Sequence, residues 1–317
     1  YWAAVLCEAA VAGIAVAIVS ALLADLAGIW WLLGAASAAS IARVGARYRH
    51  VAEARWSRVI AIDVLLLLAF AAGLAVGWTA RSAAVGIAIG WLAGGLLSLT
   101  ALRGDLLRLA NPLSWWSKHR PHIRTLLADS LLLDAGSIGT PLALAPLLGT
   151  ASFGVYRAVS NVALPSRLIL EPLRASIAAV PPHRIAAAKM VAGILALGLT
   201  LGGAAFAILE WGVPALPFRL GTLSELAAFS LAAGVFVAAS FVSHLGYISC
   251  RTWAEPRALL LGRVVQTGTA IVLPFAGFFA NGLSGAITGY VIATCIAAIV
   301  WMAMTGAIGR RLTTLGT

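Results

Sequence analysis

An all-α protein that crosses a membrane about ten times, as a polytopic bundle, is the fold class this sequence predicts, and three observations predict it. The first is composition: of 317 residues, 62% are hydrophobic and 10% charged, with a mean hydropathy of +0.98, whereas a soluble domain is about 45–50% apolar and about 25% charged. The second is length. The apolar residues fall into runs of about 20, the number a helix rising 1.5 Å per residue needs to span the hydrocarbon core. The third is charge placement: 22 basic residues face 11 acidic ones, and they gather in the connections between apolar runs, not along one soluble face. That pattern marks topology and argues against a nucleic-acid partner.

The elements follow in order. A first span covers 3–24 and is closed by Asp25; a second covers 28–46, with Trp30 and Trp31 as interfacial anchors at its start. The stretch RVGARYRHVAEARWSR (43–58) sets five arginines against Glu53 and predicts a cytoplasmic loop. Spans at 59–78 and 83–101 follow, separated by a tight turn at Arg81. Residues 102–124 mix leucines, Trp115, Trp116 and five basic residues, which predicts an amphipathic segment in the headgroup region linking two halves. The fifth and sixth spans form a hairpin over 125–180 that turns at 149–152 and ends at Pro181 and Pro182. The seventh runs over 190–209, and Pro214, Pro217 and Gly221 prevent a continuous helix after it. The eighth runs over 226–248, the ninth over 258–280, and the tenth from a turn at Asn281 and Gly282 to 309. The domain plan is therefore a first lobe over 1–101, a linker over 102–124, a second lobe over 125–309 and a tail over 310–317.

With odd connections outside and even ones inside, all but four of the 22 basic residues fall on the cytoplasmic side. Arg81 and Arg219 lie outside, and Arg157 and Arg167 lie within the membrane, so both termini are expected in the cytoplasm. Arginine outnumbers lysine 20 to 2 and alanine is abundant, pointing to a GC-rich bacterial genome and hence to a bacterial cell (inner) membrane. Cys7, Cys250 and Cys295 are far apart and read as packing residues. The histidines have no metal-ligand spacing, and no metal or cofactor is expected.

The hairpin over 125–180 carries the charges that need a reason, because an ionised side chain near the bilayer centre costs about 2.5–3.5 kcal/mol on insertion scales. On a helical wheel, Arg157, Ser160, Asn161, Arg167, Glu171 and Arg174 fall within about 140° of one another, one polar stripe. Arg157, Asn161, Arg167, Glu171 and Arg174 are the candidate substrate-binding residues. The plain alternative pairs Arg167 with Glu171 and lets Arg174 reach the cytoplasmic interface. Asp134, Asp129 and Asp63 are candidate ion-coupling carboxylates, since an intramembrane carboxylate can carry a cation or a proton. For Asp129 and Asp63, each near a cytoplasmic helix end, the alternative is that they stay hydrated and pair with nearby arginines. Pro141, Pro146, Pro165 and Pro172 fit either gated or ordinary membrane helices.

The segments LLGTASFGVY, YRAVSN and PSRLILEPL of this hairpin, with IARVGARYRHVAEARWSRVIAIDVLLLL and the glycine-rich VVQTGTAIVLPFAGFFANGLSGAITGYVIA, resemble the multidrug/oligosaccharidyl-lipid/polysaccharide flippase superfamily, in particular its polysaccharide-export and O-antigen-flippase-like branch. The resemblance implies two pseudo-symmetric six-helix lobes around a central cavity. In those terms the stripe would face the cavity and meet the pyrophosphate of a polyprenyl-linked glycan. Membrane lipids would surround the chain, and a glycan polymerase or glycosyltransferase would be its partner. Four spans before the linker against six after it lead to the expectation that the chain lacks the first two helices of a twelve-helix plan. The function implied is translocation of a lipid-linked oligosaccharide or polysaccharide precursor by alternating access. The alternatives are a cation-coupled drug antiporter of the same superfamily and a nontransporting scaffold in glycan assembly. No acid, base and nucleophile constellation points to an enzyme.

Overall fold

The computed structural model describes residues 2–22, 27–99, 112–215 and 222–314. Every regular element among the described residues is helical. The chain divides into two compact units, Tyr1–Arg120 and Pro121–Thr317. Asp25, Asp105, Arg103, Arg108, Arg219 and the predicted linker residues 102–111 lie outside the described residues.

In the first unit, helices α1 (Trp2–Leu22), α2 (Trp30–Ala52), α3 (Trp56–Thr79) and α4 (Ala83–Leu99) follow one another through short connections. Small residues hold them together, since lipid tails supply no hydrophobic drive between helices and close backbone approach has to replace it. Gly73 and Gly77 of α3 meet Gly86 and Gly90 of α4. A Cβ added at Gly73 would stand 2.5 Å from the Gly86 carbonyl oxygen, and one at Gly86 2.5 Å from that of Gly73. The turns before α3 and α4 place Ala54 and Arg81 at φ of 54° and 53°, the left-handed region that non-glycine residues rarely occupy. Asp63, about two turns into α3, accepts from Arg43 Nη1 at 3.3 Å and Arg47 Nε at 3.1 Å and remains 41% exposed.

Helix α5 (Pro112–Asp134) begins in the first unit and continues into the second, and residues 112–124 of the predicted linker are helical within it. A π turn over Ala135–Gly139 leads into α6 (Thr140–Leu148). Gly149, at φ 72°, reverses the chain into α7 (Thr150–Val162). The expected sixth span is not one straight helix. α7 ends before Ala163, and α8 (Leu164–Ala179) begins with Pro165 in its first turn, where the missing N–H removes the hydrogen bond that would carry the helix on. After the short α9 (Pro182–Ile185) come α10 (Ala188–Ala207), a π turn over Ile208–Gly212, and α11 (Thr222–Leu226). The unit closes with α12 (Ser230–Trp253) and α13 (Pro256–Thr314). Gly282, at φ 54°, folds the 59-residue α13 into two antiparallel arms. The arms touch at Gly277 and Gly285, where neither position has room for a Cβ.

Helix α12 is the centre of this unit. Its Phe236 and Val237 pack with Tyr156, Val159 and Tyr290, and its Phe241 and Ile248 with Leu170 and Ile194. Large apolar side chains such as Val11, Ile18, Leu67, Leu199, Leu231 and Ile299 point outward, which suits a chain whose solvent is lipid. Seven helices among the described residues are long and apolar enough to cross a membrane. The expected ninth and tenth spans are the two arms of α13, which turn at Asn281 and Gly282 and count as one apolar stretch; α4 is a shorter apolar helix, and the 150–179 segment is interrupted and charged. The chain is an all-α, membrane-embedded protein.

Candidate functional site

A cavity of about 430 Å³ lies within the second unit, walled by α5, the π turn after it, α8, α12 and both arms of α13. Its size falls in the range of small-ligand sites. Four arginines line it: Arg167 and Arg174 from α8, Arg251 from α12 and Arg263 from the first arm of α13. Two carboxylates, Asp134 and Glu171, face them. Serine and threonine hydroxyls at 130, 137, 240, 243, 267 and 294 supply neutral polar groups.

The deepest of these charges is Arg263, whose side chain is 1% exposed, as is that of Asp129. Arg263 Nε donates to Asp129 Oδ1 at 2.7 Å, and Tyr247 Oη donates to Asp129 Oδ2 at 2.5 Å. Arg263 Nη1 donates to Gln266 Oε1 at 2.7 Å, an oxygen that also accepts from Trp301 Nε1 at 2.9 Å. The guanidinium lies 4.2 Å from the Tyr247 ring centroid and 5.4 Å from that of Trp301. A planar cation between a carboxylate, an amide oxygen and two aromatic rings has little orientational freedom. The π turn belongs to the same assembly. Such turns interrupt the regular backbone pairing, and the Thr267 hydroxyl donates to the Leu132 carbonyl at 2.8 Å just before it.

The sequence-predicted residues separate into three groups. Arg167, Glu171, Arg174 and Asp134 line the cavity. Glu171 is ion-paired with Arg174 at 3.5 Å and stands 3.8 Å from His244 Nε2, and all three line the cavity. Arg157 and Asn161, on α7, do not line the cavity, which takes its residues from α8 beyond the break at Ala163. Arg157 is half-buried and Asn161 exposed. Asp129 is paired with an arginine as the plain alternative held, but it is buried and not hydrated, and its partner is 134 residues away. Asp63 lies in the first unit, partly exposed and bonded to Arg43 and Arg47.

Arg263, counted with the cytoplasmic charges in the sequence-based topology, is buried inside α13 and paired with Asp129. The signal was present in ALLLGRVVQTG, where Arg263 and Gln266, three apart, interrupt an apolar run on one helix face. Tyr247 and Trp301 carried no such signal, since aromatic residues in apolar helices are ordinary.

What the arrangement can do chemically is hold an anion. A cavity with more guanidinium than carboxylate groups, some of them fixed by neighbours, suits the forked recognition of phosphate or carboxylate oxygens. No protein-family model matches the chain, and no curated protein or solved structure matches it significantly.

Proposed function

We propose that the chain is a transporter of the bacterial inner membrane that moves a lipid-linked oligosaccharide or polysaccharide precursor by alternating access. In this reading it has ten spans, four in a first lobe and six in a second, both termini are cytoplasmic, and it performs no covalent chemistry. The single observation that carries the reading is the surplus of arginines in the cavity of the second unit, a setting for the diphosphate that joins a glycan to its polyprenyl carrier. The hydroxyls around it suit the sugar. The likeness of the 125–180 hairpin to the flippase superfamily supports the same assignment.

The test is Arg167→Gln in the full-length protein, followed through surface glycan and lipid-linked precursor. Glycan should fall about tenfold while precursor accumulates, the scale expected for one lost charge-assisted hydrogen bond. Unchanged glycan at normal protein level would count decisively against the reading. One observation favours a second reading: the Asp134 carboxylate also lines the cavity, where it would serve a cation-coupled antiporter. Efflux driven by a cation gradient and abolished by Asp134→Asn would favour that reading.

A further inference from the structure

His244 lines the same cavity, carried there by α12. Its side chain is 21% exposed, and its Nε2 is buried with no hydrogen-bond partner among the described residues. That nitrogen stands 3.8 Å from Glu171 Oε1. The same oxygen accepts from Arg174 Nη1 at 3.5 Å. Both contacts are long for charge-assisted bonds, which close to about 2.7–2.9 Å. One carboxylate oxygen therefore lies between two nitrogens and is closed on neither of them.

Imidazole is the side chain that gains or loses a proton near neutral pH. While His244 is neutral, Arg174 is the cation of this group and keeps Glu171. An imidazolium adds a second cation and a donor, and a shift of about 1 Å would close it on the carboxylate. The proton also has a route. Although Nε2 itself is sealed, the Glu171 side chain is 31% exposed and lines the cavity, so the carboxylate can take a proton from the cavity and pass it to the imidazole.

The surrounding charges give the sign of the effect. Arg167 and Arg174 of α8, Asp134 of α5, Tyr247 and Arg251 of α12 itself, and Arg263 and Tyr290 of α13 face the cavity with His244 and Glu171. Arg157 of α7 and His183 and Arg184 of α9 do not line it, and α10 carries no charge over 190–207. Four guanidiniums against two carboxylates leave the wall positive. A further positive charge at His244 is repelled by that wall and attracted by an anion in the cavity. Linkage makes the effect mutual, so the factor by which an anion strengthens proton binding is the factor by which the proton strengthens anion binding.

We propose that His244 and Glu171 form a proton-binding site in the cavity wall, in which protonated His244 draws Glu171 away from Arg174 and the cavity then holds an anion more tightly. The linkage to the anion rests on the reading of the cavity as the substrate's site; the proton site does not. The consequence is that the pH on the side to which the cavity opens sets its hold on the anion.

The test uses the full-length protein in nanodiscs with isotope-labelled histidine. The NMR titration of His244, identified by its loss in His244→Gln, is followed between about pH 5 and about pH 8. In Glu171→Gln the proton affinity of His244 should fall about tenfold, the scale of one lost opposite charge. Arg311→Gln, at an exposed ion pair with Glu255, is the control and should leave it within about twofold. No titration of His244 in the wild type over that range, or an unchanged one in Glu171→Gln, overturns the proton site. Anion binding is then measured by calorimetry with sulfate, whose charge is constant over the same range. The wild type should bind sulfate at least about fivefold more tightly at the acid end than at the alkaline end, and His244→Gln should lose that dependence. If thermal denaturation shows His244→Gln to be unfolded, Glu171→Gln carries the comparison, since the midpoint of its pH dependence should move to lower pH. Equal sulfate affinity at both ends in the wild type, or a wild-type pH dependence in the variants, overturns the linkage. Absence of sulfate binding, with the His244 titration still answering to Glu171→Gln, overturns the anion reading of the cavity and leaves the proton site standing.

Discussion

Removing one member of a buried ion pair leaves the other charge uncompensated, at a cost of about 3–5 kcal/mol, whereas removing both can be nearly neutral. Arg263→Gln alone should therefore lower the melting temperature in detergent far more than D129N/R263Q does, and equal losses in the two would show that the charges are not interdependent. Trp301→Phe is expected to cost about 1 kcal/mol in the same assay, the usual net worth of one hydrogen bond, here the one from Trp301 Nε1 to Gln266. These residues also show how far the site could be read from the chain alone. Arg167, Glu171, Arg174 and Asp134 were found because a charge in an apolar run is visible locally, and all four line the cavity. The bond between Asp129 and Arg263 was not, because its members are 134 residues apart and long-range pairing leaves no local mark. Arg263 was counted with the cytoplasmic charges although it interrupts the apolar run ALLLGRVVQTG: near a helix end, a topology signal and a buried cation look alike.

At the scale of the element, backbone geometry decides. Gly73→Val or Gly86→Val would drive a side chain into the facing backbone, since even a Cβ at either position comes within 2.5 Å of a carbonyl oxygen. Overpacking of that kind costs about 1–3 kcal/mol, so lower folded yield and melting temperature are expected, and wild-type values would show that α3 and α4 can separate freely. Arg81→Gly should act in the opposite direction. A left-handed non-glycine residue costs about 1–2 kcal/mol, and Arg81 has φ 53°, so the glycine variant should melt higher. The break between α7 and α8 is a lesson of the same kind. Pro165 was visible in the sequence, but a helical wheel assumes an unbroken axis, and the stripe from Arg157 to Arg174 therefore joined residues that α7 and α8 place on separate segments.

For the whole molecule, the proposed topology makes a prediction at the two ends of α3. In a chain whose own cysteines are replaced, Arg81→Cys should react with a membrane-impermeant maleimide in intact cells and Arg55→Cys should not; the reverse pattern would invert the orientation. The fold class was legible because lipid imposes severe conditions: every backbone group must be satisfied within a helix, and every span must reach across the core. Those conditions act on long stretches and leave a strong compositional mark. The turn at Asn281 and Gly282 was legible from its Asn-Gly pair and is where α13 folds back, whereas an interruption such as the π turn at Ala135–Gly139 has no such local signature. The separation of Asp129 from Arg263 along the chain also sets a schedule. At about 5–20 residues per second of synthesis, the 134 residues between them take roughly 7–27 s to make. For that interval the nascent α5 carries its carboxylate without the arginine that will later neutralise it, and the second unit can close around its charge only when the last hairpin leaves the ribosome.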